Sequence, residues 1–161
     1  MSSESSNLLI RPAQPSDVDA IAALWEELLD FHQERDPYYT RIPDAAKHSA
    51  EHLAKKMSEE ETILLVAEFD GAVVGYLMAR SHARPPVFVG GPVISISDIC
   101  VKNGFRRGGT GVAMVDELLR LADEMGITRI EVGYAATNEL SHAFWGKMGF
   151  KPFSITAALE R

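Results

Sequence analysis

The chain has 161 residues, 16 Lys plus Arg against 23 Asp plus Glu, a formal charge of −7 and 46% apolar residues, which suits a single domain spanning residues 1–161. Its one cysteine, Cys100, has no partner within the chain and no C-x-x-C spacing exists to hold zinc, so disulfide-rich and zinc-finger scaffolds are excluded and a cytoplasmic, metal-free protein is expected. The longest uncharged stretch, Pro85 to Ser97, is interrupted by Pro and Gly and falls short of the roughly 20 apolar residues of a membrane span.

The acidic excess is local. Ser16 to Glu61 holds twelve acidic and five basic residues, while the remainder holds eleven of each. A field of that sign repels nucleic-acid phosphates and favours cationic ligands; an ordinary solvated helix face carries the same pattern.

The opening MSSESSN is polar and lacks an apolar core, so it reads as a frayed terminus rather than a secretion signal. Leu8 to Arg11 reads as a strand. Pro15, Ser16 and Asp17 open a helix, with Ser16 and Asp19 at capping-box spacing, and Ile21, Leu24, Trp25, Leu28 and Phe31 form its apolar stripe. Asp36-Pro37 ends that helix. A second, from Pro43-Asp44 to about Met57, carries a thin stripe and is expected at the surface.

Ile63 to Phe69 and Val73 to Arg80 are β-rich and flank Asp70-Gly71, the signature of a hairpin. Arg84 to Pro92 must be a loop. Val93 to Val101 is the next strand, and Gly109 to Met125 repeats apolar residues at helical period up to Gly126. Arg129 to Tyr134 reads as a strand, Glu139 to Met148 as a helix ended by Gly149, and Phe153 to Leu159 as a last strand. This order implies a mixed α/β (α+β) sheet with helices on both faces.

Between the strand ending at Val101 and the helix that follows runs Lys-Asn-Gly-Phe-Arg-Arg-Gly-Gly-Thr-Gly111. Unpaired amides at a helix start, glycines and two arginines make an anion site. A P-loop would need Gly-Lys-Ser or Gly-Lys-Thr, which is absent, and a Rossmann fingerprint begun at Gly109 would need glycine where Met114 stands.

Arg106, Gly109 and Gly111 do match R-x-x-G-x-G, and with Asn138, the run Phe144-Trp145-Gly-Lys-Met-Gly-Phe150 and the opening Ile10-Arg11 followed by Asp17, the chain resembles the GNAT superfamily of acyl-CoA dependent N-acetyltransferases from Leu8 to Leu159. The resemblance implies a mostly antiparallel sheet with a splayed parallel pair, Val93 to Val101 and Arg129 to Tyr134. It implies acetyl-CoA as cosubstrate, its pyrophosphate held by the amides of Arg106, Arg107, Gly108, Gly109, Thr110, Gly111 and Val112. Ile99, Cys100 and Val101 would meet the thioester and pantetheine through their backbone, and Asn138, Ser141 and Phe144 would complete the CoA side. A homodimer is also implied; no nucleic-acid or membrane partner and no metal are expected from the charge, the lack of a long apolar run and the lone cysteine.

Acetyl transfer to a primary amine, of a small molecule or a protein, needs an uncharged amine, a polarised carbonyl and a route for the thiolate. Ser95 and Ser97 stand where some members of the family carry Glu, leaving Asp98 as the strand's one carboxylate and the candidate base. Capping a loop or pairing with an Arg is the structural alternative for it. The family's general-acid Tyr falls at Trp145, whose indole has one N–H and no useful acidity; Tyr134, Ser141 and His142 are the replacements nearby. Cys100 reads as a packing residue rather than a ping-pong thiol.

The acceptor is expected against the first two helices, where Glu26, His32, Tyr38 and Tyr39 would bind a cationic amine through charge and aromatic faces. Because Trp145 replaces the acid, a non-catalytic acyl-CoA binding module is the alternative function.

Overall fold

Asp70 and Gly71 both take positive φ, 49° and 83°, the geometry of a two-residue turn whose twist matches the strands it joins. A computed structural model describes residues 7–161; the reading of MSSESSN as a frayed terminus lies, but for Asn7, outside them. The turn joins β2 (Thr62–Phe69) to β3 (Ala72–His82), the centre of a five-stranded sheet ordered β1-β2-β3-β4-β5. β1 (Leu8–Pro12) lies on one edge, β4 (Val93–Val101) pairs antiparallel with β3, and β5 (Arg129–Val132) pairs parallel with β4.

Two helical layers cover the sheet. On one face α1 (Val18–Gln33) and α2 (Ala45–Met57) pack Ile21, Leu24 and Leu53 on Leu64, Val66, Tyr76 and Met78. On the other, α3 (Thr110–Glu124) and α4 (Glu139–Lys147) pack Met114, Val115, Leu118 and Trp145 on Leu65, Leu77, Ile94 and Ile96. Period 2 in the strands and period 3.6 in the helices dictate this division. The thin stripe of α2 still buries Ser49 and Leu53.

Three expectations are corrected. Ser16 does not cap the first helix: Asp17 closes the turn by accepting the Gln14 amide at 2.7 Å. It also takes both terminal nitrogens of Arg11, at 2.7 and 3.0 Å. The charge reaching across from β1 outweighs the local capping signal. The fifth strand stops at Val132 rather than Tyr134, because its ladder with β4 ends at the pair Ile96–Val132.

No strand forms over Phe153 to Leu159. A strand needs an edge to satisfy its amides, and among the described residues this segment pairs with none. The Phe153 ring lies under the Arg129 guanidinium, 4.5 Å from it, and Ile155 beyond it is 95% exposed.

Candidate active site

The parallel ladder breaks off after four residue pairs, so β4 and β5 diverge like a fork. Beside it, β4 slips register against β3: Asp98 pairs with Met78 but Ile96 with Ala79, leaving Ser97 as an extra residue. Such a bulge re-aims side chains. Ile94, Ile96, Ile99 and Val101 all belong to the α3 side, whereas Cys100 joins the α1–α2 side. Ser97 and Asp98 consequently both line a cavity of about 270 Å³ on the α1–α2 side, with Trp25 and His52. Burial pushes the Asp98 carboxyl up to about 6.

The glycine turn follows β4. Phe105 anchors it against Phe69, ring centroids 5.4 Å apart, and Lys102 donates its amide to the Val74 carbonyl. Arg107 and Gly109 take φ of 69° and 83°. Among the described residues, the amides of 106–112 have no backbone acceptor; the first that does is Ala113, which donates to Gly109 at 2.9 Å. Converging free amides at a helix start fit a pyrophosphate. Arg106 is held by its Nε donating to the Val101 carbonyl at 2.8 Å, and the Thr110 hydroxyl turns inward to the Phe105 carbonyl. A Cβ on Gly111 would stand 3.3 Å from the Phe144 ring, so glycine there lets α4 close on the start of α3.

The remaining candidates divide by face. Tyr134 and Trp145 belong to the α3-side cluster, across the sheet from the cavity at Asp98. Trp145 is 2% exposed, edge-on to Phe144 and Phe150 at 4.9 and 5.0 Å. Tyr134 meets the His142 ring edge-on at 4.8 Å, and His142 Nε2 donates to the Ala136 carbonyl. Asn138 caps α4, its side-chain oxygen accepting the Ser141 amide at 3.1 Å. The Cys100 thiol donates to the Leu24 carbonyl at 3.4 Å, and burial raises it to about 11.

Of the acceptor candidates, Glu26 pairs with Arg41 and accepts the Ser49 hydroxyl. His32 packs against Tyr39 at 4.9 Å, burial depresses its pKa, and Tyr38 points to solvent. Sequence reasoning missed Arg80, Thr62, His52 and Lys56, which line the cavity at Asp98; a lone Arg closing an apolar strand was the available signal. Trp25, on the α1 stripe, lines this cavity and the neighbouring one near Arg41 and His48. His48 and His52 stand four residues apart on α2, and among the described residues no third His, Cys, Asp or Glu groups with them.

A mostly antiparallel sheet forked at one parallel pair, with a glycine turn of unpaired amides beside the fork, defines an acyl-CoA class of fold. The chain belongs to the acetyltransferase (GNAT) family, whose model matches residues 21–150. An uncharacterized N-acetyltransferase of Mycobacterium tuberculosis is 26% identical over 107 residues, 66% of this chain and 64% of that relative, so the match spans less than two thirds of it. An N-alpha-acetyltransferase of Sulfurisphaera tokodaii is 30% identical over 154 residues, 91% of this chain and 81% of that one.

Among solved structures, a tetramutant of the BH1408 protein of Bacillus halodurans superposes with a TM-score of 0.86 at 20% identity, covering 95% of this chain and 99% of that one. The aminoglycoside N-acetyltransferase AAC(6')-Iy in complex with CoA gives 0.79 at 17% identity, covering 100% and 99%. At these identities both bear on the fold alone.

Proposed function

We propose that residues 1–161 form a single N-acetyltransferase domain that moves the acetyl group of acetyl-CoA to a primary amine of a small molecule or protein, by direct attack in a ternary complex. The observation that carries this reading is the run of amides at 106–112 without a backbone acceptor, beside a fork from which Asp98 opens into a cavity. Acetyl-CoA supplies an activated acyl group.

The amides of Arg106 to Val112 hold the pyrophosphate, and the β4 backbone at Ile99, Cys100 and Val101 holds the acyl arm and the thioester oxygen. Phe144, Ser141 and Asn138 border the other side. Asp98 takes the proton that the amine sheds as its nitrogen bonds the acetyl carbon and the C–S bond breaks. Tyr134 is the remaining proton donor for the leaving sulfur, and Trp145 packs the α3-side core with Phe144 and Phe150. Proximity of amine and thioester supplies roughly 7–11 kcal/mol of the barrier reduction, so a weak acid is tolerated.

The name of the Sulfurisphaera tokodaii relative, an N-alpha-acetyltransferase, puts an α-amino group among the acceptors to test. Glu26, His32, Tyr38 and Tyr39 belong to the outer acceptor region of this reading. A cytoplasmic location and a homodimer belong to it too; exposed Phe153, Ile155 and Leu159 give a dimer surface to cover, and sedimentation measures it. Among the described residues no helix is long and apolar enough to cross a membrane.

Free thiol released from acetyl-CoA with an amine panel, alongside calorimetry with CoA, tests the proposal. Heat without thiol from any amine favours the second reading, an acyl-CoA binding module, which the buried indole at Trp145 supports. Neither heat nor thiol overturns both.

A further inference from the structure

We infer that the acceptor of this site is a small zwitterion, a primary amine whose carbon chain also carries a carboxylate, bound with its amine at Asp98 and its carboxylate at Arg80. The inference rests on the acetyltransferase reading above and names its substrate class. The cavity at Asp98 has two ends of opposite character. Ser97 and Asp98 form one end, on β4. Thr62 and Arg80, directly paired across the β2–β3 ladder, form the other. Asp98 pairs with Met78, and Arg80 is the next residue on the same face of β3, about 7 Å along the strand.

Both groups at the far end are uncommitted. Among the described residues no acceptor is bonded to the Arg80 guanidinium, whereas the neighbouring Lys56 is engaged by Glu59 at 2.9 Å. The Thr62 hydroxyl is buried and has no hydrogen-bond partner. A guanidinium beside an unpaired hydroxyl offers a carboxylate charge-assisted donors on two sides. Glu59, the carboxylate bordering Arg80, is already taken by Lys56.

Of the acidic residues near this cavity, Glu26 and Asp30 share Arg41, and Glu59 pairs with Lys56. Trp25 and His52, ring centroids 5.5 Å apart, line the same cavity. At about 30 Å³ per water, its volume corresponds to roughly nine waters, enough for a short aminocarboxylate with water around it.

The test uses β-alanine, 4-aminobutyrate and 5-aminopentanoate, each beside its own amide, with 1,4-diaminobutane as the cationic match, at saturating acetyl-CoA. Charge-assisted recognition predicts that the best aminocarboxylate exceeds its amide and the diamine about tenfold in kcat/KM, mainly through KM. Arg80→Met brings that ratio towards one, Arg80→Glu reverses it in favour of the diamine, and Thr62→Val weakens the aminocarboxylate about fivefold. Arg80 is exposed, so its variants keep the fold, which their melting temperatures verify.

Amides or diamine turned over as well as every aminocarboxylate, or a ratio unmoved by Arg80→Met, overturns the inference. Should CoA bind while no amine is turned over, the acetyltransferase reading fails on its own. The same amines are then compared by thermal shift of the CoA complex: a larger shift with aminocarboxylates that Arg80→Met removes supports the seat, and equal shifts sink it.

Discussion

Asp98 faces Met78 across the β3–β4 ladder one residue after the register slips, and that slip alone turns its carboxyl to the cavity face. Without the extra residue, strict alternation from Ile94 and Ile96 would send residue 98 towards α3.

The position sets a pH dependence. With its carboxyl raised to about 6 by burial, Asp98 is protonated and inert as a base below that pH, and kcat/KM rises through it. Asp98→Asn removes this limb of the profile and lowers kcat about 10²–10⁴-fold. An unchanged acid limb in the variant excludes Asp98 as the base.

The same shift costs stability. A carboxyl raised in the folded state favours folding most below its unfolded value near 4, and that contribution is lost as pH rises through about 6. Asp98→Asn therefore unfolds at higher urea than the parent at pH 7.5, by about 1–3 kcal/mol, and the advantage shrinks as pH falls towards 4. Equal midpoints at both pH values would count against a buried ionised carboxylate.

Asp17 has the opposite sign. Its side chain is 7% exposed and bonded to Arg11, a pairing that holds the carboxyl below its ordinary range. Its stabilisation is full above pH 4 and fades as pH drops further. Asp17→Ala strands Arg11 with Glu68 as its one remaining carboxylate and costs about 1–3 kcal/mol at pH 7, read by urea denaturation; the variant also loses stability less steeply in acid.

Gly109 enters α3 at φ 83°, a conformation costing a side chain about 1–2 kcal/mol. Gly109→Val weakens CoA at least about tenfold by calorimetry, because the amide fan rotates with the backbone. Gly108→Ala is the control for fold: its Cβ would stand 3.7 Å from the Phe105 carbonyl, an ordinary contact, so its stability stays at parent level and any lost affinity reports ligand approach.

The Cys100 thiol, raised to about 11, stays protonated at neutral pH and is a poor nucleophile. Mixing the protein with acetyl-CoA and no acceptor leaves its intact mass unchanged; a gain of one acetyl group on Cys100 would establish a ping-pong route instead.

What the sequence by itself determined is whatever short-range chemistry dictates. Asp70-Gly71 specified the hairpin turn, the apolar spacings placed α1 and α3, Gly126 and Gly149 stopped their helices, and the glycines before Thr110 marked the anion turn. Each of these is decided within a few residues. Tertiary structure alone decided the rest. The turn-closing role passed from Ser16 to Asp17, which also clamps the Arg11 that β1 delivered; β5 ended at Val132 where β4 diverged; Phe153 to Leu159 found no edge to pair with among the described residues. The cavity joins Trp25, His52, Thr62, Arg80 and Asp98 from five separate elements, and no local pattern encodes such a meeting, since it depends on strand register and on which helix face the sheet receives.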